Sequence, residues 1–220
     1  MSTNSADIGL LVSKALGVAI ILGSFTVKLP LIRNCISMGS TKGLAAGSLY
    51  SEIIALSTSV IYNMLRGIPI GTWGELLSVL VQNYVLVFCI WYYSKYSVVT
   101  CTQLAASYVC FAYGVIFHLP QDIYFTLPFV AMAIGWSGTI PQIFANYRNQ
   151  HTGPLSIITQ GLIVSGSFAR VFTTTQEVND RVILFSVCCS SFLQSIILIQ
   201  IVTLREKTAK FVTHETKKTE

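Results

Sequence analysis

The chain has 220 residues, 53% hydrophobic and only 10% charged, with a formal net charge of +5 and a mean hydropathy of +0.65. A soluble domain carries about a quarter of its residues as charged ones, so this chain cannot cover a water-facing surface and reads as an all-α integral membrane protein. Nucleic acid is excluded as a partner, because the basic residues sit beside apolar runs and not on a soluble face.

A membrane-spanning helix needs roughly 20 apolar residues, and seven runs approach that length. The first is Ile8 to Val27, containing Lys14. The residues before it are acidic at Asp7 and lack Lys or Arg, so a cleaved signal peptide is not expected. The second, Leu44 to Leu65, contains Glu52 and ends at Gly67-Ile68-Pro69. The third, Trp73 to Tyr93, closes on the aromatics Trp91, Tyr92 and Tyr93, as expected at an interface. The fourth is Val98 to Phe117, ended by His118-Leu119-Pro120. The fifth, Ile123 to Asn146, is interrupted by Pro128, Gly135, Gly138 and Pro141; the sixth is Leu155 to Thr175 and the seventh Val182 to Leu204. The six cysteines lie mostly inside these runs without metal spacing, and read as small apolar packing residues.

The chain contains an internal duplication. The stretch Gly135 to Glu177 has a weaker copy at Lys28 to Arg66, with Pro30 matching Pro141, Thr41 matching Thr152 and Leu44 matching Leu155 at one constant offset. The expected architecture is therefore seven transmembrane helices as two three-helix repeats joined by a linker helix (3+1+3). The first repeat covers residues 1–96 (core about 28–66), the linker 97–120, the second repeat 121–204 (core about 135–177), and a basic tail 205–220. Three crossings invert the next unit, and the linker restores the direction, so the two repeats run parallel.

Lys28, Arg33, Lys42, Lys95, Arg148 and the tail lysines fall on one side, against only Arg66 and Arg181 on the other. This bias places the tail in the cytosol and the amino terminus in the lumen or outside. Lys217 and Lys218, third and fourth from the end, match a dilysine retrieval signal of the endoplasmic reticulum; a basic tail touching anionic lipid is the simpler alternative.

Pro30 and Pro141-Gln142 lie near the cytosolic ends of spans, where a proline removes an N–H and kinks or ends the helix. Their matched positions suggest paired hinges. Ser48, Glu52, Ser59 and Asn63 share one helical face, and Gln160, Ser167, Arg170, Thr174 and Glu177 another. Repeat matching sets Ser59 at Arg170 and Asn63 at Thr174, so both faces are expected at the interface between repeats. Helix-to-helix glue is the simpler reading for the hydroxyls. Glu52 lies roughly 12 Å inside its span at 1.5 Å per residue, and a charge there must be neutralised, paired or hydrated. Lys14 and Arg170 lie roughly 9 Å below the lumenal end. They either snorkel to the surface or, with Glu75, Glu177 and Asp180 at similar depth, form a site for a phosphate head group. No His-Glu-x-x-His, phosphate loop or Gly-x-Ser-x-Gly occurs, so no catalytic residue, metal or cofactor is expected.

Pro30 and Pro141-Gln142, each followed by a polar loop with Thr-x-Gly-Leu or Thr-Gly-Pro-Leu, resemble the PQ-loop repeat family, which includes cystinosin-like carriers and SWEET sugar transporters. One branch is more similar still, through Lys28-Leu29-Pro30, Trp73-Gly74-Glu75, His151 to Ser156, Gly166-Ser167-Phe168-Ala169-Arg170-Val171-Phe172-Thr173 and Gln176-Glu177. The first repeat departs from the pattern, with Pro30-Leu31 in place of Pro-Gln. The resemblance implies an endoplasmic reticulum protein required for lumenal use of dolichol-phosphate-mannose and dolichol-phosphate-glucose, serving N-glycan and glycosylphosphatidylinositol-anchor synthesis. The implied partners are a dolichyl-phosphate sugar, membrane lipid and glycosyltransferases of that compartment. Ligand-binding candidates are Lys14, Glu52, Glu75, Gln160, Arg170 and Glu177. A carrier of a small sugar or amino acid, proton-driven through Glu52, and a scaffold that binds no lipid stay open.

Overall fold

The computed structural model describes residues 2–41, 44–152 and 155–208, with the side chains of residues 2–7 left aside. It contains eight α-helices among the described residues: α1 (Ser2–Ser24), α2 (Leu29–Met38), α3 (Ala46–Leu65), α4 (Gly74–Tyr93), α5 (Val98–His118), α6 (Thr126–Asn149), α7 (Ile157–Glu177) and α8 (Arg181–Thr203). Short 3-10 turns at Ile70–Thr72 and Gln121–Ile123 lead into α4 and α6.

Five helical segments are both long and apolar enough to cross a bilayer: Ile8–Met38, Gly74–Tyr93, Val98–His118, Gln121–Asn149 and Arg181–Thr203. Helices α3 and α7, of 20 and 21 residues, have spanning length at 1.5 Å per residue but a more polar composition. The outer surface is apolar, with Leu11, Leu22, Phe88, Phe117, Ile158, Leu162 and Phe192 exposed. Polar side chains lie inside: Ser13, Ser57, Thr58, Asn83, Asn146, Thr173 and Thr174 are almost fully buried. This inside-out distribution suits hydrocarbon as the solvent, which rewards buried polar groups that find partners and costs nothing at exposed leucines. The chain is a multi-pass membrane protein.

The first apolar run differs from its expected form. Instead of one span to Val27, α1 stops at Ser24 and α2 starts at Leu29, with Pro30 in its first turn. Proline is tolerated there because the N–H it lacks would have no helical partner. Pro141, by contrast, sits inside the uninterrupted α6. Both segments then end alike, in a residue of left-handed backbone, Gly39 (φ 57°) and Gln150 (φ 58°). The following loops also match: Leu44 N–H donates to Thr41 C=O (3.1 Å) and Leu155 N–H to Thr152 C=O (3.4 Å).

Helix α4 packs against both α1 and α3, and α8 against both α6 and α7. Between the two sets, α1 meets α7 and α3 meets α6. Helix α5 lies at the periphery, mainly against α3. Its Tyr108 hydroxyl bonds to Ser57 (2.7 Å) and to Tyr84 of α4. An apolar cluster around Leu49, Ile53, Leu80, Leu86, Val87 and Ile90 joins α3 to α4, and Cys35 carries α2 into it.

Candidate functional site

Where α3, α4, α7 and α8 converge lies a cavity of about 190 Å³, in which a few polar side chains sit among the apolar Leu76, Pro128, Val178, Ile183 and Val187. Ser59, Tyr62 and Asn63 of α3, Glu75 of α4, Arg170 and Thr174 of α7, and Ser186 of α8 line it, with Thr72 and Trp73 from the turn before α4. The two helix faces that sequence periodicity paired, Ser59 with Asn63 and Arg170 with Thr174, therefore share one cavity.

Arg170 is its electrostatic centre. The guanidinium pairs with Glu75 through Nη2 and donates through Nη1 to the Thr72 carbonyl. Both side chains are largely withdrawn from solvent, 14% and 16% exposed. A charge this deep is stable only when paired and hydrogen-bonded. The Thr72 carbonyl is delivered by a close approach that needs glycine: a Cβ on Gly17 of α1 would stand 2.6 Å from the Gly71 carbonyl. Only a residue without a side chain lets α1 lie against this turn. The second carboxylate oxygen of Glu75 is buried without a hydrogen-bond partner.

Toward the α3 carboxyl end the cavity is closed by Tyr62, whose hydroxyl donates to Asp180 Oδ2 at 2.6 Å. Tyr62 also lines an outer recess of about 550 Å³, with Arg66, Asp122, Tyr124, Asn179, Asp180 and Arg181. Asp180 caps α8, accepting from Val182 N–H (2.9 Å) and Ile183 N–H (3.3 Å); Arg66 Nε lies 3.4 Å from its Oδ2. Burial by itself pushes the Asp180 carboxyl up. The Tyr62 hydrogen bond, the two backbone N–H groups and the Arg66 charge outweigh it, and hold the group below the usual carboxylate range.

The remaining candidates disperse. Lys14 is exposed on α1 and does not join Arg170. Its neighbour Ser13 is the buried one and donates to Glu177 Oε1, because consecutive helical residues face about 100° apart. Glu177 thus ties α7 to α1 beside Gly71. Glu52 forms an ion pair with Lys28 at 2.9 Å, apart from the cavity. Gln160 donates to the carbonyl (3.0 Å) and side-chain oxygen (2.8 Å) of Gln194, joining α7 to α8. Gln142 donates to Asn146 Oδ1 at 2.7 Å. Lys217 and Lys218 lie outside the described residues. Sequence reasoning did not find Tyr62, Thr72 or Ser13. Thr72 acts through its backbone, which no side-chain pattern reports, and only the glycines at 17 and 71 hint at it.

Several apolar helices around a buried, paired arginine define a polytopic membrane protein with an internal charged pair. A PQ-loop repeat profile matches residues 12–72 and 123–182, more than half of the chain. The chain belongs to the PQ-loop repeat family, and this membership suggests a carrier-like role in the membrane.

Proposed function

We propose that this chain is an endoplasmic reticulum membrane factor that binds or presents a dolichol-phosphate-linked sugar. Lumenal transferases then draw on dolichol-phosphate-mannose and dolichol-phosphate-glucose for oligosaccharide, N-glycan and GPI-anchor synthesis. The observation that supports this reading is Arg170, a guanidinium placed in the cavity between the repeats. Its planar fork suits phosphate oxygens. Because Glu75 already occupies it, an anionic head group must take the carboxylate's place, so Glu75 sets the threshold for binding. In this reading seven helices cross the bilayer. Helices α1, α3 and α4 form one triplet, and α6, α7 and α8 a parallel one, with α5 as linker. The amino terminus is lumenal, the tail cytosolic and the role non-enzymatic. The resemblance of Gly166 to Thr173 to the dolichol-phosphate branch of the family supports the choice of ligand.

Lipid-linked oligosaccharides measured in cells lacking the chain test this proposal. Truncated species should accumulate, be corrected by the wild type, and persist with Arg170→Ala at normal expression. Complete oligosaccharides in cells without the chain would sink it. At the purified protein, Glu75→Gln should tighten binding of a short isoprenyl phosphate while Arg170→Ala weakens it. A second reading, a carrier of a small sugar or amino acid, is favoured by the family membership. Flux of free hexose through reconstituted vesicles would establish it over the first. Glu52 would then have to release Lys28 to take a proton. A scaffold for glycosyltransferases, which binds no lipid, predicts that Arg170→Ala and Glu52→Ala both restore full-length oligosaccharides.

A further inference from the structure

A second cavity, of about 230 Å³, lies between α3, α6 and α8, next to the arginine cavity, and shares Ser59 and Ser186 with it. No charged side chain lines it; Trp136, Thr139, Ser190 and Gln194 do, beside the apolar Ala131, Met132 and Leu193. Thr139 returns its hydroxyl to the Gly135 carbonyl at 3.2 Å, but the three serines differ from the hydroxyls elsewhere in the helices. Ser51, Ser57, Thr58, Ser191 and Ser195 each return the hydroxyl to a carbonyl of their own helix, the usual resting state of a helical hydroxyl. Ser59, Ser186 and Ser190 make no hydrogen bond to the described residues. The Trp136 indole N–H is buried without an acceptor. Gln194 accepts from Gln160, leaving its own amide N–H groups unused. Of the buried side-chain atoms lining this space among the described residues, only the Trp136 indole N–H lacks a partner. The serine hydroxyls and the Gln194 amide are open to the space itself, and an uncharged lining with so many polar groups suits a ligand rich in hydroxyls.

We infer that this second cavity is a subsite for a neutral polyhydroxyl group, the hexosyl part of a ligand whose anionic part lies at Arg170. A sugar hydroxyl both donates and accepts. The indole and amide N–H groups give to it, the serine hydroxyls do either, and the Met132 and Leu193 side chains cover the C–H face. Charge is excluded by the lack of any counter-ion in the lining. The cavity holds several water volumes, more than a single bridging water needs. The position of the anionic part rests on the proposed function, whereas the hexosyl subsite rests on its own donors.

The test uses the full chain in detergent and three probes: a short isoprenyl phosphate mannose, the same isoprenyl phosphate without sugar, and methyl mannoside. Trp136→Phe keeps the ring and removes the N–H; Ser190→Ala removes one hydroxyl. Each variant should weaken the glycosylated probe roughly 2- to 12-fold, the range of one neutral hydrogen bond, and leave the bare isoprenyl phosphate unchanged. Unchanged binding of the bare probe also shows that the variants fold. If the wild type binds both lipid probes equally, or the variants weaken both alike, the subsite is wrong while the lipid-binding role stands. If the wild type binds methyl mannoside but neither lipid, and the variants lose it, the subsite stands and the lipid role falls. If no probe binds, both fall.

Discussion

The two repeats treat the same local difficulty in opposite ways. In the first, the chain breaks ahead of Pro30, and Gln82 of α4 fills the gap. Its Nε2 donates to Ser24 C=O and its Oε1 accepts from Lys28 N–H, both at 2.9 Å. In the second, α6 runs through Pro141, and Gln200 of α8 supports it from the side. Its Nε2 donates to Ile143 C=O at 3.0 Å, and its Oε1 accepts from Asn146 Nδ2 at 2.9 Å. Asn146 in turn accepts from Gln142. Backbone groups released within a bilayer must be satisfied by the protein; Gln82 does this for the Lys28 N–H, whereas Gln200 bonds the Ile143 carbonyl, which Pro141 does not release. The difference is that Gln82 supplies the bond the Lys28 N–H lacks at a break, while Gln200 braces a helix that stays continuous through Pro141. Lys28 adds its ion pair with Glu52 in the first repeat; the second relies on the uncharged Gln142–Asn146–Gln200 relay.

Substitutions at these positions can break the comparison. Gln82→Leu should have the largest effect, about 2 kcal/mol, because it strands the Lys28 N–H at about 1–3 kcal/mol, while the Ser24 carbonyl keeps Val27 N–H at 3.2 Å; the melting temperature in detergent reports it. Gln200→Leu should cost roughly 1.5 kcal/mol, since the Ile143 carbonyl retains its helical partner. Equal losses for the two would remove the distinction between supplying a bond and bracing.

The starts of α4 and α8 differ as well: α4 has no side-chain cap at Trp73, and α8 has Asp180. Asp180→Asn keeps a capping oxygen and should cost about 1 kcal/mol at neutral pH, the difference between a charged and a neutral acceptor for the Tyr62 hydroxyl and Arg66. The sign with pH follows from the depressed carboxyl. Its stabilisation is complete above the ordinary carboxylate range and is lost as pH falls through the lower folded value. Melting of the wild type should therefore drop in strong acid, and that slope should flatten in the variant. A slope of the same size in both would assign the acid loss elsewhere. The smallest effect belongs to Leu31→Gln, which gives the first repeat the Pro-Gln pair. Leu31 is on the surface, 36% exposed, and the change should stay within about 0.5 kcal/mol. A gain beyond that would mean the relay of the second repeat can be rebuilt in the first.

Much of this was legible in residue order. Hydropathy fixed the membrane class, and the matched Pro, Thr and Leu positions located the duplication before any coordinate. Helical periodicity put Ser59 and Asn63 opposite Arg170 and Thr174. Residue order ended the first span at Val27 and marked Pro30 as a hinge or stop, but did not show the restart as α2, where a glutamine more than fifty residues away bonds Ser24 C=O and Lys28 N–H. Depth alone also misled at Lys14: residues at one level of a helix point in all directions, and Ser13, one step away, holds the inward position.

The sequence by itself determined the solvent of this protein, its helical class, its repeat and the polar stripes on α3 and α7. These are properties of composition and period, which survive without knowledge of neighbours. Only the tertiary structure decided which charges meet. Glu75 reaches Arg170, Lys28 reaches Glu52 and Thr72 offers its carbonyl because helices distant in sequence close to a few ångströms. In a medium that does not solvate charge, that contact is what makes an intramembrane ion tolerable.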